Sequence, residues 1–166
     1  MSRTFQPSVT VAAIVCEHGR YLMVEEQTRE GIRYNQPAGH LDPGESLVAA
    51  AIRETLEETA RDFVPEGLQG VYLARSRSST SGTDVTYLRF AFVGRVGPTL
   101  PGRALDEGIV RALWLTPAEI VALRAQHRSP LVMTCIEDHR ARRVPSSLEL
   151  LSTDPSALGA ASLGGI

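Results

Sequence analysis

The stretch AGHLDPGESLVAAAIRETLEETA, residues 38–60, constrains this chain more than any other. It predicts a helix from Ser46 to about Ala60. At about 100° per residue, Val48, Ala51, Ile52, Thr55, Leu56 and Thr59 fall on one arc, the side expected to face a core. Glu54, Glu57 and Glu58 fall on the other. Like charges four apart on a helix repel by about 0.2–0.5 kcal/mol per pair, so something must compensate: arginine, water or a divalent cation. The loop before the helix holds Gly39, Asp42, Gly44 and Glu45. At Gly39 no Cβ intervenes, and a backbone carbonyl can approach closely. Carboxylate, carbonyl and water oxygens are the ligands a hard cation such as Mg²⁺ takes, usually shared with substrate phosphates. An acidic helix face paired to arginines is the competing reading, and the helix pattern alone leaves both open.

The chain has 166 residues, a length that predicts one domain. We expect that domain over residues 1–150, with a small-residue tail over 151–166 that has no periodicity and is loosely held. No apolar run is long enough to span a bilayer, and the N-terminal residues do not read as a secretion signal. Cys16 and Cys135 do not suggest a disulfide framework, so reduced cysteines in a cytoplasmic protein are expected. A net charge of −2 argues against a nucleic-acid binder. The sequence contains no lysine, so any phosphate held by a fixed charge is held mainly by arginine, through its planar fork of donors.

Residues 8–17 are rich in Val and Ile and predict a strand; HGR turns the chain at Gly19, and 21–27 return as a hairpin. TREGIRYN reads as a polar loop. QPAGHL is a short extended piece, because Gln36 precedes a proline. A strand is expected over 71–77, an alternating one over 85–96 and another over 109–116, with Pro/Gly loops between. Thr116-Pro-Ala-Glu119 forms a capping box, and Ser129-Pro130 opens a last helix reaching 143. The sum is an α/β (α+β) fold, a mixed β-sheet sandwiched between α-helices.

Gly39, five residues, Glu45, seven residues, Arg53-Glu54, two residues, Glu57-Glu58: this spacing resembles the box of the Nudix hydrolase family, and the order of elements resembles its fold. Two positions depart from the family pattern. Thr55 stands where a bulky aliphatic is usual, and Ala60 stands where glycine ends the helix. The resemblance implies a metal-dependent enzyme using Mg²⁺ or Mn²⁺, with Glu54, Glu57 and Glu58 as metal ligands and the Gly39 carbonyl as a further one. Glu45 and Arg53 would orient the loop and the carboxylates. The base would be Glu54 or an acid outside the box, Asp106 or Glu107.

Residues 76–80, SRSST, lack the proline and the tyrosine that mark the ADP-ribose and dinucleoside-polyphosphate subfamilies. PSVTVAA (7–13), VEE (24–26), NQPAGHL (35–41), LRF (88–90) and RSPLV (128–132) resemble the NudJ phosphatase subgroup. That resemblance implies hydrolysis of nucleoside tri- and diphosphates or thiamine-type pyrophosphates, with release of inorganic phosphate. The alternatives are an ADP-ribose or nucleotide-sugar pyrophosphatase, and a non-catalytic nucleotide sensor. Arg33, Gln36 and Arg89 are the candidate substrate contacts. His40, Tyr34, Arg75, Arg77 and Trp114 are weaker candidates. The partner implied is a small molecule, not nucleic acid or membrane, and the chain would be a monomer or a homodimer.

Overall fold

A computed structural model describes residues 5–77, 84–141 and 144–159, with Arg77 described by its backbone alone. Residues 78–83 between two of the expected strands, the end of the last helix at 142–143 and the tail from 160 lie outside the described residues. Strands β1 (Ser8–Glu17) and β2 (Arg20–Thr28) form the expected hairpin. Its turn takes positive φ at both His18 and Gly19, the geometry that matches strand twist. β3 (Gly31–Asn35) and β4 (Ala38–His40) precede helix α1 (Leu47–Thr59); β5 (Phe63–Arg77), β6 (Asp84–Val96) and β7 (Ile109–Leu115) follow. Helices α2 (Pro117–Ala122) and α3 (Leu131–Ala141) come last, and α2 carries the predicted capping box.

The sheet order is β3-β2-β1-β6-β5, with β4 paired to β1 and β7 to β2. β1 pairs with β2 at Cys16↔Tyr21 and Glu17↔Arg20, beside the turn. Beyond the turn the two strands diverge, and β4 takes the edge of β1 at Thr10, Val11 and Ala12. This splay places the start of α1 beside an opening in the sheet. β1 also runs parallel to β6 from Ser8↔Tyr87 to Val15↔Gly94. As a central strand it buries both faces, which explains its nearly continuous apolar run. Val11, Ala13 and Val15 pack with Phe92, Ala50 and Ala51 of the α1 layer, while Ile14 packs with Met23, Val132 and Ile136 of the α3 layer. The mixed sheet between helices is the architecture expected.

Four local expectations change. The polar segment before Pro37 is not all loop: residues 31–35 pair with β2, Tyr34 opposite Glu25 and Arg33 opposite Glu26. Only its turn is loop, fixed by the Thr28 hydroxyl donating to the Gly31 carbonyl at 2.7 Å. β5 begins at Phe63 rather than Val71, because irregularities at Pro65/Gly67 and Leu68/Gly70 let a strand continue through residues that normally break one. On α1 the core arc holds at Ala51, Thr55 and Thr59, but Ile52 is exposed and Glu58 is buried. The described part of the C-terminal segment is tied down: Ser146 exchanges backbone hydrogen bonds with Leu68, Leu151 packs on the α1 layer, and Gly159 N–H donates to the Gly44 carbonyl at 2.8 Å.

Candidate active site

Ser46 caps α1 by accepting from Ala49 N–H at 3.1 Å, and Glu45 accepts from Asp42 N–H at 2.8 Å to close the preceding loop. Glycine is needed at position 39, where a Cβ would lie 2.0 Å from the Glu54 carboxyl carbon. Arg53 answers part of the charge problem on the helix. It holds Glu45 by two donors, Nε at 3.0 Å and Nη2 at 2.7 Å, and reaches Glu54 and Glu57 through Nη1 at 2.8 and 3.0 Å. Nη2 also donates to the His40 carbonyl at 3.0 Å, tying helix to β4. Burial acts to raise the Glu45 pKa, but the Arg53 and Asp42 hydrogen bonds outweigh it and hold the carboxyl below its ordinary value.

One turn further in, no arginine does the same. Glu58 is 7% exposed and accepts one hydrogen bond, from Ala38 N–H at 2.9 Å. Burial, with Glu26, Glu54 and Asp106 nearby, pushes its carboxyl up to about 9. Burial also raises Glu54, despite Arg53, and Glu26, despite Arg128. Asp106 arrives on the loop before β7, which Asp106 N–H anchors to the Glu57 carbonyl at 2.9 Å. Among the described residues no three acidic, histidine or cysteine side chains converge as a ready metal site; Arg53 holds oxygens of Glu54 and Glu57. The donors still fit a hard dication: they are all oxygen, they lie partly desolvated, and among the described residues no arginine lies within ion-pair distance of the buried Glu58.

These groups open on a cavity of about 910 Å³, whose lining includes Glu26, Gly39, Glu54, Glu58, Asp106 and Glu107, together with Arg29, Arg75, Arg89 and Arg128. Glu45, Arg53 and Glu57 are not among the lining residues. Arg89 points inward and is 6% exposed; burial lowers its pKa. Gln36 and Arg33 do not line the cavity. Gln36 is buried, donates to the Val132 carbonyl at 2.8 Å and accepts from Arg89 at 3.4 Å. Arg33 reaches Glu30 at 3.4 Å. Tyr34 donates to Glu25 at 3.1 Å, Arg75 pairs with Asp84, and Trp114 lies under Arg61 at 5.9 Å. His40 is on the cavity, its ring 6.4 Å from that of Tyr87.

Sequence reasoning missed Glu26, Thr10, Asn35 and Arg128, which also line the cavity. A signal existed for Glu26: two adjacent acids ending an apolar strand cannot both face water by alternation. Here a register shift between Glu25 and Glu26 on the β7 side leaves both largely buried, Glu25 against Arg111 at 2.8 Å and Glu26 facing Arg128 at 3.4 Å.

A mixed sheet between helices, opened at one edge against an acid-bearing helix, is the arrangement of a pyrophosphate-cleaving hydrolase, and the NUDIX domain model matches residues 4–134. The chain belongs to the Nudix family and is a hydrolytic enzyme. It is 36% identical over 138 residues to Phosphatase NudJ of Escherichia coli K12 and to that of Shigella sonnei, a match covering 82% of this chain and 86% of those proteins. A solved NUDIX hydrolase from Nitrosomonas europaea is 49% identical, with a TM-score of 0.82 over 90% of this chain and 99% of that one. The NUDIX domain of Shewanella oneidensis NrtR, complexed with ADP ribose, is 17% identical, with a TM-score of 0.62 over 84% of this chain and 90% of that one; it shares the fold. Nudix hydrolases generally use a divalent metal ion and act on small nucleotide substrates. Among the described residues no helix is long and apolar enough to cross a membrane.

Proposed function

We propose that this enzyme is a metal-dependent phosphohydrolase that cleaves nucleoside tri- and diphosphates or thiamine-type pyrophosphates at the terminal phosphorus and releases inorganic phosphate. The observation that carries the reading is the meeting of largely buried acids, Glu26 and Glu58, with arginines on one cavity. The 36% identity to phosphatases named NudJ supports the release of phosphate. Glu54, Glu57 and Glu58, with the Gly39 carbonyl, would hold Mg²⁺ or Mn²⁺. Such an ion, when bound, activates water near neutral pH and neutralises charge developing on phosphate oxygens. Arg53 and Glu45 position the carboxylates from behind. Asp106 and Glu107 line the cavity and are the bases to test beside Glu54. Arg89 meets the substrate; Gln36 serves it as a rest, and Arg33 acts at most from outside the lining. Cys16 and Cys135 are free, and Cys16 is exposed, which suits a reducing cytoplasm.

The test is phosphate release from GTP, GDP, ADP-ribose and thiamine pyrophosphate in Mg²⁺, with and without added pyrophosphatase. Direct release of phosphate from the di- and triphosphates is expected. Phosphate that appears only with pyrophosphatase, or AMP formed from ADP-ribose alone, would overturn the reading.

A further inference from the structure

The cavity contains polar atoms that the carboxylate chemistry leaves unused. Thr10, Asn35 and Arg89 are more than nine-tenths buried, yet Thr10 Oγ1, Asn35 Oδ1 and Arg89 Nε have no hydrogen-bond partner, and Ser129 Oγ is in the same condition. All four residues line the cavity. Native proteins rarely leave such atoms unpaired, because burying a polar group without a partner costs stability.

Long-range pairing brings these residues together. Thr10 and Arg89 are register partners in the parallel β1–β6 ladder and therefore share a sheet face. Arg89 donates to Gln36, the neighbour of Asn35, and Gln36 is pinned to the Val132 carbonyl. Arg128 N–H donates to the Tyr34 carbonyl at 2.9 Å, which brings the neighbouring Ser129 back towards β3. The orientation of the Asn35 amide follows from its hydrogen bond with the Glu26 carboxylate: the amide NH₂ faces that acceptor, and Oδ1 is left to accept. Arg89 Nε can only donate, and the two hydroxyls can do either. A bare phosphate would satisfy Arg89 but would set oxygen against Asn35 Oδ1. The His40 and Tyr87 rings, on the same cavity, add flat surface.

We propose that Thr10, Asn35, Arg89 and Ser129 form a specificity subsite that reads the edge of a planar nitrogen heterocycle, an edge on which a hydrogen-bond donor stands beside an acceptor. The inference rests on the reading of the cavity as an organic-pyrophosphate site, and it assigns the end of the substrate away from the reacting phosphorus. Sites built to hydrogen-bond a substrate group discriminate strongly against analogues that lack it.

The comparison that tests this is between a heterocycle-bearing substrate, the best of ADP, GDP, CDP, UDP and thiamine diphosphate, and ribose 5-diphosphate, which keeps the sugar and the diphosphate but has no ring nitrogen. The wild-type ratio of kcat/KM should be at least about a hundredfold in favour of the heterocycle. Thr10→Val and Ser129→Ala should each lower that ratio about tenfold. Neither substitution removes a hydrogen bond within the protein from these oxygens, so neither should lower Tm. A wild-type ratio near one would overturn the proposal in favour of sugar or phosphate recognition. Variants that slow both substrates alike, or that change nothing, would assign the four atoms to ordered water or packing and overturn it equally. Calorimetric binding of guanosine 5′-methylenediphosphonate against methylenediphosphonate separates the two levels. Selective binding without turnover of any diphosphate keeps the subsite and removes the hydrolase reading. Unselective turnover does the reverse.

Discussion

The glutamates along α1 and the loop before it form an outer end around Arg53 and an inner end at Glu58, and one member of each, Glu45 and Glu58, are in opposite electrostatic states. At the outer end Arg53 gathers Glu45, Glu54 and Glu57 within 3.0 Å, and Glu45 is held below its ordinary pKa. At the inner end Glu58 has one backbone donor and acidic neighbours, and its proton is held to about pH 9. Glu45 gives both oxygens to Arg53 and is scaffold, Glu54 and Glu57 give one oxygen each, and the outer charges are thereby balanced. The inner charge is not, which leaves it available to a cation or a proton. The sharpest attempt to break this contrast is Glu58→Gln. The amide still accepts from Ala38 N–H, so the fold should persist and metal-free Tm at about pH 8 should not fall, while turnover should drop by at least about a hundredfold. Equal turnover in steady-state assays would move the metal site away from Glu58.

The reciprocal substitution is Arg53→Ala. It strips the partner from Glu45, Glu54 and Glu57 together. A fully buried pair broken this way costs about 3–5 kcal/mol; with the Arg53 side chain 27% exposed, we expect about 2–3 kcal/mol in urea unfolding. Arg53→Lys should recover less than half, because an ammonium cannot hold Glu45 with two parallel donors. A loss near zero would show that the outer cluster is solvated surface and that the contrast between the two ends is false.

Glu45 and Glu58 should also respond to pH with opposite sign. In the folded, metal-free chain Glu58 keeps its proton to about pH 9, while the unfolded chain releases it near 4.5. The folded state binds more protons across that window, so this contribution is complete below about pH 4.5 and is lost as pH rises towards 9. Glu26 and Glu54 add in the same direction. Glu45 works the other way: its contribution is present above its ordinary pKa and is lost as pH falls through the lowered value. Thermal melts in chelator should therefore show stability declining from about pH 5 to about pH 8, and Mg²⁺ should raise Tm more at the higher pH. A Mg²⁺ effect independent of pH would separate ion binding from the buried carboxylates.

What the sequence revealed and what it hid follow the same division by distance along the chain. Arg53, Glu54, Glu57 and Glu58 are close in sequence, helical geometry relates them directly, and their meeting on one side of α1 could be read from spacing. Gln36 could not: beside the box it resembled a substrate contact, and only the arrival of Val132 shows where its amide is spent. Thr10, Asn35 and Ser129 are single polar residues in strands and a loop. They acquire meaning when β1 pairs with β6 and residue 128 bonds back to 34. β3 was hidden by its polar composition, although pairing to β2 needs backbone groups that every residue there supplies. Ile52 misled in the opposite way, since an apolar residue on the predicted arc still faces water where no layer covers it.

Ala60 tests the contrast most gently. It ends α1 at φ 52°, ψ 37°, the left-handed conformation that glycine adopts without penalty, and its N–H caps the Leu56 carbonyl at 3.0 Å. The same turn sends the chain towards the loop that returns to the helix, with Leu100 N–H on the Ala60 carbonyl at 2.7 Å and Asp106 N–H on the Glu57 carbonyl at 2.9 Å. Ala60→Gly should relieve about 1–2 kcal/mol of backbone strain. It also forfeits about 0.8 kcal/mol of buried methyl. The net gain should be under about 1 kcal/mol, a Tm rise of no more than about 3 °C, and kcat should stay within about twofold. If turnover fell sharply while Tm rose, the strained turn would be holding Asp106 against Glu58, and the state of the inner carboxylate would depend on how the helix ends as well as on how deeply Glu58 is buried.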